Sequence, residues 1–467
     1  MNFSNIGVEI KQKLIGVVGD NYCLTEKNSI EDYCHDETED LNFPPQLVVK
    51  PANTNEVSEI MKLASEYNIP VTPCGARTGL SGGALCVHGG IALSMERFNK
   101  IIQIDEDNLQ VIVQSGVITQ ELQEAVQEKG LYYAPDPSSR GTCFIGGNIA
   151  ENAGGPRAVK YGVTKDFVLN LEVVLPNGEI IETGANTLKN STGYNLTQLM
   201  VGSEGTLGIV TQATLKLIPC PKHNMLMLVP FTSAEKACEA VASIFKAGIT
   251  PSAMEFMERD AIQWTMDFTK ESPVKLKDNE QAHLLIEVDG NDTEVLFKEC
   301  EVIAAVVEEL DCGEIMFAET EAQKDALWFL RRRVAEAVKA TSIYKEEDTV
   351  VPRYNLPKLL KGVKAIGNKY GFKSICYGHA GDGNLHVNII KGDMTDAAWN
   401  NELTKGIREL FELTVDLGGT LSGEHGIGYV QKQYMDIAFT KVELGLMKGI
   451  KNVFDPKEIL NPGKIFV

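Results

Sequence analysis

Of seven histidines in the 467 residues, His379, His386 and His425 fall in two glycine-rich passages near the end of the chain. The first reads Gly378-His-Ala-Gly-Asp-Gly-Asn-Leu-His-Val-Asn388 and the second Ser422-Gly-Glu-His-Gly-Ile-Gly428. His386 and Asn388 are two residues apart in a strand-like run, which puts them on one face and Leu385, Val387 and Ile389 on the other. Gly378, Gly381 and Gly383 let the chain fold back so that His379 converges on His386. Glu424, beside His425, adds a carboxylate from a separate element. Two imidazoles and one carboxylate form an open divalent-metal site with positions left for water or substrate, and zinc, iron and manganese all suit that donor set. The spacing is no standard zinc signature, and a histidine is more often a satisfied core group than a ligand.

A second set of chemistry-bearing residues is glycine-rich. Gly75 to Gly83 runs G-x-x-x-G-x-x-G-G, which is neither a dinucleotide G-x-G-x-x-G nor a G-x-x-x-x-G-K-[ST] loop. Such a loop brings backbone N–H groups close to a pyrophosphate, with Thr78 and Ser81 as hydroxyl donors; read alone, it fits a surface turn equally well. Three further segments, Pro135–Ser139, Gly146–Gly155 and Val201–Thr211, shift the balance toward an extended ligand.

These residues need a scaffold of some size, and the chain supplies one. At ~150 residues per domain the length predicts two or three domains. Lys+Arg 44 against Asp+Glu 64 leaves a net charge of −20, which argues against nucleic acid as a partner and against an anionic lipid surface. No apolar run reaches the ~18 residues of a membrane helix, so no direct membrane insertion is expected. The start of the chain lacks an apolar run with a cleavage site, so a cytoplasmic location is expected. Ten cysteines without a C-x-x-C pair are expected as reduced, mostly buried thiols. An amphipathic helix is predicted from Asn53 as cap to Tyr67, strands at Ile69–Thr72, Ile91–Met95, Ile101–Ile104 and Gln110–Gln114, and a helix from Thr119 as cap to Gly130 as stop. An Asn-Gly hairpin spans Glu172–Ile181, and a break at Pro219–Pro221 precedes a helix at Ser233–Ala247 and a strand at Ala282–Val288.

Taken together, the four glycine segments and the two histidine passages resemble the vanillyl-alcohol oxidase/PCMH flavoprotein superfamily, in its branch of FAD-linked 2-hydroxy-acid dehydrogenases that includes glycolate oxidase, D-lactate dehydrogenase and D-2-hydroxyglutarate dehydrogenase. The resemblance runs from about residue 40 to the C-terminus. It implies an α+β fold: a PCMH-type FAD-binding domain over 1–220, an α+β cap or substrate domain with the metal site over 221–430, and a segment, 431–467, that packs back near the flavin. It implies that the FAD pyrophosphate is held by the loop from Pro73 through Gly75, Arg77, Thr78, Gly79, Leu80, Ser81 and Gly82 to Gly83. Pro135, Asp136, Ser139 and Thr142, then Gly146, Gly147, Asn148, Asn152 and Gly155, would flank the flavin. Ile209 and Val210 would meet the adenosine side, and Asn461 of the closing Asn-Pro-Gly-Lys would return to the flavin. Ala84 stands where covalent members carry a histidine, so FAD is expected without a covalent link.

The same resemblance implies His379, His386 and Glu424 as metal ligands, Asn388 at the substrate, His425 as the base, and Arg331, three residues after Trp328, as the grip on the substrate carboxylate. Lys345 resembles a second carboxylate-side lysine, although a solvated surface lysine fits as well; Glu346-Glu-Asp348 reads as a solvated acidic face, and Arg332 and Arg333 as the exposed side of their helix. The expected activity is oxidation of a small D-2-hydroxy acid, D-lactate first, by hydride transfer to flavin N5, with glycolate and D-2-hydroxyglutarate as alternatives. A soluble protein acceptor is expected, with an electron-transfer flavoprotein coupled to NAD as the specific candidate. Three rivals are an alkyl-dihydroxyacetonephosphate synthase, a nucleotide-binding metal hydrolase and a catalytically inert FAD electron-transfer subunit. The intact histidine passages weigh against the first and the last.

Overall fold

The computed structural model describes residues 3–38 and 40–467. Its contacts divide the chain into two units: one comprises the residues up to Gly154, Gly162–Cys220 and Glu424–Val467, the other Gly155–Tyr161 and Pro221–Gly423. This departs from the expected three-part division at two places. Seven residues, Gly155–Tyr161, leave the first unit for the second, and the return to the first unit comes at Glu424, ahead of the expected 431.

The first unit holds two main sheets. One orders β1 (Cys23–Leu24), β2 (Leu47–Val49), β4 (Ile91–Ser94) and β3 (Val71–Cys74), with β4 parallel to both β2 and β3. The strand expected from Ile69 starts two residues later, because Ile69 closes the preceding helix by donating its N–H to Ala64. That helix, Thr54–Tyr67, begins as read: the Asn53 side chain accepts from the Glu56 N–H at 3.0 Å, and the Glu56 carboxylate accepts from Ala52 N–H at 2.7 Å. It buries Val57, Ile60, Met61 and Ala64 against the sheet, each larger side chain contributing about 1.5–3 kcal/mol. The second sheet is antiparallel, β5 (Ile101–Asp105), β6 (Gln110–Gln114), β10 (Ile209–Lys216), β8 (Val168–Val174) and β9 (Ile180–Glu182), and a short pair joins β7 (Leu131–Tyr132) to β11 (Ile218–Pro219). The Asn-Gly hairpin closes β8 on β9 with Gly178 at φ 85°, a left-handed conformation that glycine adopts without strain. Thr119 is the first residue of its helix, Thr119–Gln127, where it had been expected as the cap; Ile118 is the cap, and the Thr119 hydroxyl lies buried against Cys143.

The second unit is a seven-stranded antiparallel sheet ordered β15 (Met316–Phe317), β12 (His223–Phe231), β14 (Ala282–Gly290), β13 (Ala253–Glu258), β17 (Lys373–Gly378), β18 (Asn384–Ile390) and β16 (Tyr344–Val350). Register fixes its two faces, since directly opposite residues share a side. Pairing Glu346 with Asn388, Asp348 with His386, His386 with Tyr377, and Tyr377 with Met257 puts Glu346, Asp348, His386, Asn388, Tyr377 and Glu255 on one face. Leu385, Val387, Ile389 and Lys345 point to the other. The helix Glu321–Arg332, capped by Thr320 and Gln323, packs Leu327 and Leu330 into the core on the histidine-bearing face and brings Arg331 with them. Among the described residues, no helix is long and apolar enough to cross a membrane.

Candidate functional site

In the second unit the predicted polar residues gather on one sheet face. His379 follows β17 directly, and the turn to β18 closes at Gly383, φ 79°, where a Cβ would collide with the Val351 carbonyl. That turn sets the His379 and His386 rings edge to face, 5.5 Å apart. Glu255, in the middle of β13 and fully buried, accepts from His379 Nδ1 at 2.8 Å and pairs with Arg331 Nη2 at 2.6 Å. His386 turns its own Nδ1 toward Glu346 at 3.3 Å and Asp348 at 3.6 Å. Both imidazoles therefore direct Nδ1 toward carboxylates: the Glu255 bond fixes the His379 ring, while Glu346 and Asp348 face His386 Nδ1 outside hydrogen-bond geometry, and Nε2 of each is left as the edge facing away.

Arg331 is 4% exposed and its Nε has no hydrogen-bond partner; Asn388 is fully buried and neither end of its amide meets a partner in good geometry. Buried polar atoms left unmet cost about 1–3 kcal/mol each, so three of them, on two side chains of one face, mark a place shaped for a polar ligand. Tyr377 donates to Glu346 at 3.2 Å, and burial pushes its phenol well up.

Several expectations change here. Lys345 is not brought to Asn388: its partner is Ile389, on the opposite face, and its ammonium lies 5.2 Å from the Trp399 ring centre. The acidic run is no solvated face, because β16 is covered and Glu347 and Asp348 are buried. Arg332 and Arg333 are only partly exposed, each resting over an aromatic ring, Trp328 and Phe329. Glu255 was missed altogether; its signal is a lone acid inside the apolar strand Ala253-Met-Glu-Phe-Met257. Gly155 falls in the second unit, whose Gly155–Tyr161 segment is tied down by Arg157 on Glu287 and by Lys160 and Tyr161 on Asp289.

In the first unit, Gly75 opens the loop after β3, and an ideal Cβ there would lie 3.8 Å from the Gly147 Cα, so two glycine segments face each other without side chains between them. Above Gly79 and Gly147 there is open space, and the buried Ser81 Oγ has no partner. Facing segments of bare backbone, with open space above them and an orphaned hydroxyl, fit the pyrophosphate of FAD. Pro73 lies in β3, Gly146, Gly147 and Asn148 in the helix Ile145–Glu151, Asn152 caps that helix at φ 56°, and Ile209 and Val210 begin β10. Arg77 lies over the Tyr33 ring at 4.3 Å. Pro135 is held by Gln123 at 2.9 Å, Asp136 pairs with Arg140 at 3.4 Å, and Thr142 donates to the Ser139 carbonyl at 3.1 Å. Thr78, Leu80, Gly82 and Gly83 continue the loop, with Gly82 at φ 74°.

The closing segment packs onto that loop. Asn461 donates to the Gly83 carbonyl at 3.1 Å, and Lys464, almost fully buried, donates to Gly83 and Leu85 carbonyls at 3.2 and 2.7 Å; burial lowers its pKa to about 8. Glu204 accepts from the N–H groups of Ile427 and Gly428 at 2.8 and 2.6 Å. Burial pushes its carboxyl up against the pull of those two bonds, and burial together with Glu204's charge pushes Glu151 well up. The Glu424 carboxylate lies 3.0 Å from where a Gly154 Cβ would sit, and within the second unit Asp348 accepts from the N–H of Gly423, the residue bonded to Glu424, at 2.8 Å. Carboxylates thus hold the chain on both sides of Glu424 and His425.

The chain matches the family described as FAD linked oxidases, C-terminal domain, over residues 220–465 and the FAD binding domain over 45–184. It is 40% identical over 440 residues to a D-lactate dehydrogenase of Anaerostipes hadrus, covering 93% of this chain and 92% of that protein. It is 40% identical over 462 residues to glycolate oxidase subunit GlcD of Bacillus subtilis (strain 168), covering 98% and 97%. A solved structure of p-cresol methylhydroxylase with substrate bound aligns at TM-score 0.80 and 18% identity, covering 98% of this chain and 96% of that one, which shows a PCMH-type fold.

Proposed function

The chain belongs to the FAD-linked hydroxy-acid dehydrogenases, which are FAD-dependent oxidoreductases, and on that premise we propose that it oxidises a small D-2-hydroxy acid, D-lactate first, to the 2-oxo acid. The observation that carries the reading is the sheet face on which a buried Arg331 with an orphaned Nε and an Asn388 whose amide lacks a partner in good geometry stand beside His379, held by Glu255, and His386, faced by Glu346 and Asp348. Arg331 offers its free edge to the substrate carboxylate while Glu255 keeps the guanidinium in place, and Asn388 holds a substrate oxygen. His425 takes the hydroxyl proton. FAD, held by the loops around Gly75, Gly146 and Asn461, supplies the hydride acceptor when bound. His379, His386 and Glu424 would hold a divalent ion, zinc, iron or manganese, whose Lewis acidity eases loss of that proton.

Electrons then pass to a soluble protein acceptor in the cytoplasm, an electron-transfer flavoprotein with NAD coupling being the specific candidate. The test is an anaerobic visible spectrum before and after D-lactate, with and without a chelator. Flavin bands that bleach, and cease to bleach once metal is removed, are expected; a yellow protein bleached by no 2-hydroxy acid would identify an inert electron-transfer subunit instead. The variant His425→Ala should stay yellow and resist bleaching, and normal reduction there would remove His425 from the mechanism. An electron-transfer flavoprotein that neither binds nor speeds D-lactate-driven NAD reduction refutes the acceptor.

A further inference from the structure

We propose that Glu346 makes this site select its substrate by charge, accepting 2-hydroxy monocarboxylic acids and excluding those with a second carboxylate; this rests on the reading of the sheet face as a 2-hydroxy-acid site. The sheet face that carries His386 and Asn388 also carries Glu255, Glu346 and Asp348. Among the described side chains Arg331 is the cation brought to this cluster, and Glu255 already pairs with it; the divalent ion proposed at His379, His386 and Glu424 would add positive charge that Glu424 partly offsets. Other cations near this face have anions of their own: Arg157 with Glu287, Lys324 with Glu321, and Lys373 with Asp260. Lys345, the residue that would have offered a second positive charge, points through the sheet to Trp399.

Glu346 is the cross-strand partner of Asn388, and its carboxylate stands 3.3 Å from His386 Nδ1. Its side chain is only 10% exposed, so water screens it poorly. One substrate carboxylate finds the orphaned edge of Arg331. A second, carried further along the molecule, meets the carboxylates of Glu346 and Asp348, and like charges in a dry site disfavour binding strongly. A neutral methyl group or hydrogen at that end meets no such penalty.

The experiment is anaerobic flavin reduction by D-lactate, glycolate, D-malate and D-2-hydroxyglutarate, with metal content measured on the same samples. For the native protein, kcat/KM for D-lactate should exceed that for D-malate and D-2-hydroxyglutarate at least 30-fold; a smaller ratio overturns the proposal. Glu346→Gln and the smaller Glu346→Ser should each cut the ratio at least fivefold, chiefly by lowering KM for the diacids, with metal content as in the native protein. An unchanged ratio overturns the proposal, and so does metal loss in both variants, since the charge would then be spent on the ion. Tyr377→Phe removes the hydrogen bond to Glu346 and leaves its charge, so the ratio should stay; a collapse there would make the effect one of shape and refute selection by charge. Failure of all four acids to bleach the native flavin would remove the underlying reading, an outcome distinct from bleaching without discrimination.

Discussion

Replacing Glu255 by Gln tests how the site is held together. The substitution preserves volume and one acceptor but deletes the charge that faces Arg331 at 2.6 Å, where both residues are buried, at 0% and 4% exposure. Charges about 4 Å apart interact by about 4 kcal/mol at an effective dielectric of about 20, and breaking a buried pair by removing one partner costs about 3–5 kcal/mol. A retained hydrogen bond from His379 or Arg331 argues for the lower end, about 3 kcal/mol. For a unit of about 200 residues each kcal/mol moves the melting temperature by about 2–4 °C, giving a drop of about 6–12 °C. The assay can be made specific to the second unit, because all three tryptophans, Trp264, Trp328 and Trp399, belong to it. Tryptophan emission should therefore show the drop. The double variant Glu255→Gln/Arg331→Met, which removes both charges, should melt above Glu255→Gln alone. A single variant melting within 2 °C of native, or a double variant as unstable as the two losses added, would refute the view that Glu255 neutralises Arg331.

Further outcomes follow from other contacts. Lys464 is lowered to about 8 by burial, so between about pH 8 and its ordinary value the unfolded chain binds more protons than the folded one, and this group's contribution to stability rises with pH. The melting temperature of native protein minus that of Lys464→Met should grow from pH 8 to pH 10, and a falling difference would contradict the burial cost. Glu204→Gln leaves an amide facing two backbone N–H groups that a carboxylate had accepted, so amide exchange in residues 424–430 should speed up about 10- to 100-fold, as judged by mass spectrometry. All ten cysteines are free thiols and only Cys220 and Cys312 are partly exposed, so a thiol reagent should modify those two quickly in the native protein and all ten after denaturation; fewer than ten in total would reveal a disulfide.

What the sequence made legible, and what it hid, divides along the range of the forces involved. The helix at Thr54–Tyr67, the hairpin at Gly178 and the shared face of His386 and Asn388 depend on periodicity, caps and turn residues within a few positions, and each was readable from those positions alone. Lys345 and Glu346 show where that reasoning ends. They are adjacent, both charged, and equally eligible as surface residues in composition; which one faces the histidines depends on the register of β16 against β18, and a shift of one residue would exchange them. No local signal sets that register, because β16 is polar along both faces and its neighbour arrives 34 residues later in sequence. Glu255 was hidden for a related reason: an acid in a buried strand is tolerable only if a cation and a proton donor meet it, and those come from Arg331 and His379, 76 and 124 residues away. The resemblance to a family supplied the residues proposed as metal ligands and base, which lie in two short contiguous motifs. The carboxylates that orient them, Glu255, Asp348 and Glu204, sit in strands and turns with no motif, so their role emerges only when the sheet registers and the returning C-terminal segment bring their partners to them.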